Sequence, residues 1–276
     1  MRTRPLIAGG LAVALLAGGG SAAWWRWHAP APAPDEPETL PIPPVPPRVA
    51  QGEQYEHCLA LLPQDPEGAQ GFAETWATAG GGAGADHCLA LARIALGDPE
   101  DGALLLERIA GGSAAPGAAR AVVFDQASQA WLMAGAADRA FAAATQAVAL
   151  APDSPDLRID RALAAEALER WQDAADDLGR ALDSDPKRAD ALVLRGSAYR
   201  HLDRIAAARA DVDRALALDP EDAEALLERG ILRQRGNDRP GARADWERAV
   251  ALAPDSQAAD LAQQNLALLE AGPQRR

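Results

Sequence analysis

Four prolines, Pro152, Pro186, Pro220 and Pro254, stand 34 residues apart at every step. Ala140, Ala174, Ala208 and Ala242 keep the same interval, and so do Ala147, Ala181, Ala215 and Ala249. Three coincident ladders mean that one structural unit recurs. Such a chain folds as a stack in which each unit buries its apolar face against the next. Cutting at the prolines gives blocks 121–154, 155–188, 189–222 and 223–256. In the third block, Leu192, Leu194, Tyr199 and Leu202 mark one amphipathic helix, and Ile205, Ala208, Val212, Ala215 and Leu216 a second. Proline closes the second helix because it has no N–H to continue it. The eighth place of each block is small (Ser128, Ala162, Gly196, Gly230) and is predicted to face the alanine twelve places on. Small side chains there let two antiparallel helices approach closely.

A polar ladder runs beside the apolar ones. Arg161, Arg195 and Arg229 take the seventh place, Asp177, Asp211 and Asp245 the twenty-third, and Arg180, Arg214 and Arg248 follow each Asp by three residues. Across an antiparallel hairpin these predict an Arg–Asp–Arg lattice bracing each pair; an anion-binding track is the functional alternative. The interleaving also gives meaning to the charge, 27 basic residues (all but Lys187 arginine) against 40 acidic, net −13. It reads as a solvated scaffold surface. It lacks the basic footprint of a nucleic-acid binder. The 48% hydrophobic content comes mostly from Ala and Leu, with three Phe and two Tyr, which suits packed helices better than sheets.

Gly196 and Tyr199, then Ala208, Ala215 and Pro220, resemble the tetratricopeptide repeat (TPR). Trp131 takes the aromatic place in the first block, whereas Ala165 and Arg233 stand there in the second and fourth. The resemblance covers 121–256. It implies an all-α, right-handed superhelical solenoid of antiparallel helix pairs, with a concave groove for partners and no catalysis. Carrying the family's ligand-facing places onto this sequence gives a strip holding Asp125, Gln129, Ile159 and Leu163, then Val193, Ser197, Arg200, Leu227, Ile231 and Arg235. This strip is apolar in the middle, acidic at one end and Arg-bearing at the other. The fifth place holds Asp125, Ile159, Val193 and Leu227, so the Lys/Asn clamp some members use for a C-terminal carboxylate is missing. The expected partner is a protein, presenting a peptide or amphipathic helix to Ile159, Leu163, Val193, Leu227 and Ile231. The competing reading is that these apolar residues only pack one repeat on the next.

Upstream, Tyr55-Glu56-His57-Cys58-Leu59-Ala60-Leu61 is echoed by Asp86-His87-Cys88-Leu89-Ala90-Leu91. Residues 53–82 and 83–115 therefore read as two degenerate helix pairs within a 53–120 segment, with 111–117 a looser joint and 257–276 a capping helix and tail. Cys58 and Cys88 are expected to form a disulfide, closing a loop whose constraint is worth roughly 3–4 kcal/mol in the chain-entropy model. Free buried thiols are one alternative. Another is a metal- or redox-responsive module built from His57, Cys58, His87 and Cys88, although adjacent helical residues point about 100° apart and do not easily converge. No sequence signature of a P-loop, serine hydrolase or zinc protease occurs, so no catalytic residue, metal or cofactor is assigned.

Before the repeats, Arg2 and Arg4 precede an uncharged run from Pro5 to Trp25, followed by Arg26 and Trp27. Residues 1–28 are expected to be a signal-anchor helix, cytoplasmic at its N-terminus and edged by tryptophans, or a signal peptide cleaved near Ser21-Ala22-Ala23. Either places the solenoid in the periplasm of a bacterial cell, tethered to the inner membrane or released. Nine prolines between Pro30 and Pro47 make 29–52 a polyproline II spacer; a docking motif for an aromatic groove is the sharper alternative.

Overall fold

The computed structural model describes residues 48–271, and those residues form thirteen α-helices and no strand. The helices are α1 (Glu53–Leu61), α2 (Pro66–Thr78), α3 (Gly82–Ala95), α4 (Pro99–Gly112), α5 (Gly117–Met133), α6 (Ala137–Leu150) and α7 (Pro155–Ala167). They continue with α8 (Trp171–Ser184), α9 (Ala189–His201), α10 (Ile205–Leu218), α11 (Ala223–Arg235), α12 (Arg239–Leu252) and α13 (Gln257–Ala271). The segments at 1–28 and most of 29–52 lie outside the described residues. Among the described residues no helix is long and apolar enough to cross a membrane.

The 34-residue interval reappears in the helix ends: α6, α8, α10 and α12 begin at 137, 171, 205 and 239 and each has 14 residues. The turn inside each pair repeats too. Gly135, Glu169, Asp203 and Asn237 all have positive φ, between 57° and 73°. The next residue's N–H reaches back five residues, as from Arg170 to Ala165 and from Arg204 to Tyr199. That is a left-handed helix stop with its long-range backbone bond, and it satisfies carbonyls the helix end would otherwise orphan. At the other end of each pair, Pro152, Pro186, Pro220 and Pro254 follow the last helical residue by two. Ser154 and Asp222 then cap the next helix, accepting from Leu157 N and from Glu224 N and Ala225 N.

The first block departs from the ladder. Its leading helix starts at Gly117, four residues ahead of the expected 121, and runs for 17 residues. The joint upstream is correspondingly short, because α4 stays helical to Gly112.

Successive helices pack against each other, and odd-numbered helices also meet the next odd-numbered one: α1 with α3, α5 with α7, α9 with α11, and α11 with α13. Helices that touch their equivalents in the next repeat lie at the smaller radius, so the odd helices form the inner layer. The core is continuous along the stack, Phe141 packing against both the upstream and the downstream cluster. The eighth place is where the layers close most tightly. A Cβ on Gly196 would stand 2.7 Å from Val212 Cγ2 and 3.3 Å from the Ala208 carbonyl oxygen, twelve places on.

Candidate functional site: the inner helix layer

Buried polar groups link one inner helix to the next. His87 of α3 is wholly buried; its Nδ1 lies 2.7 Å from the Tyr55 hydroxyl of α1 and its Nε2 2.7 Å from Gln126 Oε1 of α5. Burial lowers its pKa to about 4, so at neutral pH the ring is uncharged, with Tyr55 donating to Nδ1 and Nε2–H donating to Gln126. Further along, the buried carboxyls of Asp125 (α5) and Asp160 (α7) are close enough to be electrostatically coupled. The Oδ1 of each has no donor. Burial pushes both carboxyls upward, Asp160 further because the Asp125 charge adds to desolvation, and this favours one proton shared between them. Arg188 then joins Asp156 of α7 to Asp190 of α9, and Arg200 of α9 grips Glu228 of α11 by two bonds of 2.7 and 3.0 Å.

The ligand-facing strip inferred from the family resemblance falls on this layer but is mostly not an open surface. Ile159, Leu163, Val193 and Leu227 are 0–6% exposed and belong to the core cluster. Gln129 is buried and donates to Asp125 Oδ2. Ser197 and Ile231 are half-buried, and Arg235 is exposed with its guanidinium on the Arg200 carbonyl. The Arg-bearing end is therefore not a free cationic patch, because Arg200 is held by Glu228 and Ser197.

Three strip residues do come together. Val193, Ser197 and Leu227 line a half-open pocket with Glu166, Leu194, Glu224, Glu228 and, from α13, Gln257, Ala258 and Leu261. The strip omitted the sixth place of each block, where Gln126, Asp160, Leu194 and Glu228 stand. Three of these four are polar, but each has a polar or charged neighbour in sequence, so local pattern does not single them out as buried hydrogen-bonding positions. The terminal helix, expected to be a cap, is a pocket wall as well.

The Arg–Asp pairs lie elsewhere, between the layers. Each guanidinium of Arg161, Arg195 and Arg229 bonds both oxygens of its aspartate at 2.6–2.9 Å. Committed this way, Arg161, Arg195 and Arg229 are bracing groups, not a track for anions. The second arginine differs from the expected one: Arg214 is 3.7 Å from Asp211, but Asp177 and Asp245 take theirs from Arg158 and Arg233. Arg180 and Arg248 are exposed.

Cys58 and Cys88 are joined in a disulfide, Cα to Cα 6.2 Å, and both are fully buried beside Ala73. The metal alternative fails on this geometry. Both sulfurs are bonded to each other, exposed His57 packs edge-on to Phe72, and His87 is committed to Tyr55 and Gln126. Among the described residues no group of three or more His, Cys, Asp or Glu side chains is placed to hold a metal ion.

The tetratricopeptide repeat family matches residues 130–198. No curated protein sequence matches significantly. Similar solved structures include MamA from Desulfovibrio magneticus RS-1, with TM-score 0.55, 18% identity, and 63% of this chain and 97% of that one covered. YrrB, described as a TPR protein with an unusual peptide-binding site, has TM-score 0.52 and 16% identity over 71% of this chain and 97% of that one. The Cut9–Hcn1 complex of the APC/C has TM-score 0.57 and 17% identity over 77% of this chain and 42% of that one. The described residues thus form an all-α, TPR-like solenoid that carries a tetratricopeptide-repeat match from within its first 34-residue block, through the second, into the third.

Proposed function

We propose that this protein is a non-enzymatic scaffold that binds a peptide or helix of a protein partner along its inner helix layer. The observation that carries the reading is the pocket between α7, α9, α11 and α13, where the inner layer presents apolar walls and hydrogen-bonding side chains to solvent together. YrrB supports it as a solenoid of similar fold whose description names a peptide-binding site. The proposal includes location: the N-terminal apolar run holds the solenoid at the bacterial inner membrane, in the periplasm, where the partner belongs to envelope assembly. Arg2 and Arg4 ahead of the run and the buried Cys58–Cys88 bond, which suits an oxidising compartment, support that part.

The test is mild crosslinking and capture from solubilised membranes with the full chain. Ser197→Trp fills the pocket, and Leu261→Arg, at a residue 39% exposed on its rim, blocks it without touching the core. Both variants should keep native circular dichroism and lose the partner caught by the wild type. Capture at wild-type level by both would sink the groove reading.

A further inference from the structure

The same pocket gathers three carboxyls. Glu166 comes from the last turn of α7, Glu224 from the first turn of α11 and Glu228 from the next turn. The Arg200 fork occupies Glu228. Glu166 has no such relief: its Oε1 is buried and accepts no hydrogen bond. A desolvated carboxyl oxygen without a donor costs free energy, and a site that keeps one is complete only when a donor arrives from outside. Val193, Leu194, Leu227, Ala258 and Leu261 give the rest of the lining its hydrocarbon, with Ser197 and Gln257 as its uncharged polar members.

We propose that this pocket receives a basic side chain of the partner, a lysine or arginine whose methylene stem lies on Val193, Leu194 and Leu227 and whose charged head reaches Glu166 and Glu224. The proposal rests on the groove reading and deepens it by giving the partner's chemistry. Long basic side chains match such a lining, since their stems bury against apolar surface while the head keeps polar company. A bare metal ion would leave the apolar walls uncovered, and an acidic peptide would add charge to a wall that already holds three carboxyls. The groups facing Glu166 are Glu224 and Glu228 of α11 and Arg200 of α9. Desolvation first, then the Glu228 charge, raises Glu166 to about 8, with Arg200 opposing. A cation placed beside it reverses that balance, so binding near pH 7 releases protons from the protein.

The probe is a random peptide library displayed on phage, panned against the detergent-solubilised full chain. The enriched sequences are expected to share a lysine or arginine. The strongest, made synthetically, should bind about tenfold or more weakly to Glu166→Gln and to Glu224→Gln, the loss of one charge-assisted bond at a desolvated site. Replacing its basic residue with norleucine should weaken wild-type binding equally, and calorimetry in two buffers of different ionisation enthalpy should show proton release that Glu166→Gln abolishes. Enriched peptides without a basic residue, or equal affinity for wild type and both variants, overturn the proposal. The groove reading then stands if Leu261→Arg still abolishes binding and falls if it does not. A library that yields no binder also overturns the proposal, while partner capture judges the groove on its own.

Discussion

Gly230 and Gly179 both sit inside helices, yet the surroundings give them opposite worth. A Cβ on Gly230 would collide with the wholly buried Trp246 indole, whose Nε1 donates to the Leu227 carbonyl. Gly179 has only Arg195 Nη1, at 3.8 Å, near the same point. Gly230→Ala is therefore expected to cost about 2 kcal/mol by overpacking, and Gly179→Ala to add about 0.5–1 kcal/mol through helix propensity. Thermal melts of the two variants separate the effects. The Asp125–Asp160 pair sets a different dependence. Both carboxyls are raised in the fold, so the folded state holds protons the unfolded chain has released. Their contribution is fully present below the unfolded carboxyl range and is lost as pH rises toward the folded values. Asp160→Asn keeps the shape and gives Asp125 Oδ1 an amide donor, so it should stabilise by about 1–2 kcal/mol at pH 8. At pH 5 the gain should be much smaller. His87, lowered to about 4, acts in the opposite direction as pH falls through its unfolded range, but it is common to both proteins and cancels in the difference. Melting temperatures of wild type and variant at the two pH values check this; an equal gain at both would refute the shared proton.

At the scale of elements, helix pairs and their stops follow local rules that recur in every block. Proline after the second helix, a small residue at the eighth place and the Arg–Asp pair sixteen residues apart are all readable as spacings, because both partners of each contact lie inside one unit. The left-handed stop at Gly135, Glu169, Asp203 and Asn237 shares the interval but was harder to see. Gly135, Asp203 and Asn237 are residue types that tolerate positive φ, whereas exposed Glu169 is not, and the backbone bond from Arg170 N to the Ala165 carbonyl closes the same stop there. The proline ladder does not extend upstream of Pro152; the local mark of the early start of α5 is Pro116, at the N-cap and off the 34-residue register.

For the whole molecule, stability is a chain of neighbour contacts, and a weak unit can open without the others. The pairs holding the disulfide are the irregular ones: α1 has nine residues, begins without a side-chain cap and ends without a basic residue. Replacing Cys58 and Cys88 together with alanine should cost these pairs roughly 3–4 kcal/mol. Hydrogen exchange should then quicken across α1–α4 and leave α7–α13 unchanged; uniform quickening along the stack would show a single cooperative unit instead.

A 34-residue interval, read from the amino acids alone, already specified helix pairs, their order and the bracing between the two layers, since those contacts repeat with the sequence. Assembly settled which inner-layer groups stay open to a partner. Each inner helix meets the next across a full repeat, so the neighbour of Asp125 is Asp160, and the neighbours of Glu166 come from α9 and α11. Two carboxyls sharing a proton, or three gathered around hydrocarbon, leave no spacing to read, because their meaning arises only when the stack withdraws them from water and assigns the available donors elsewhere.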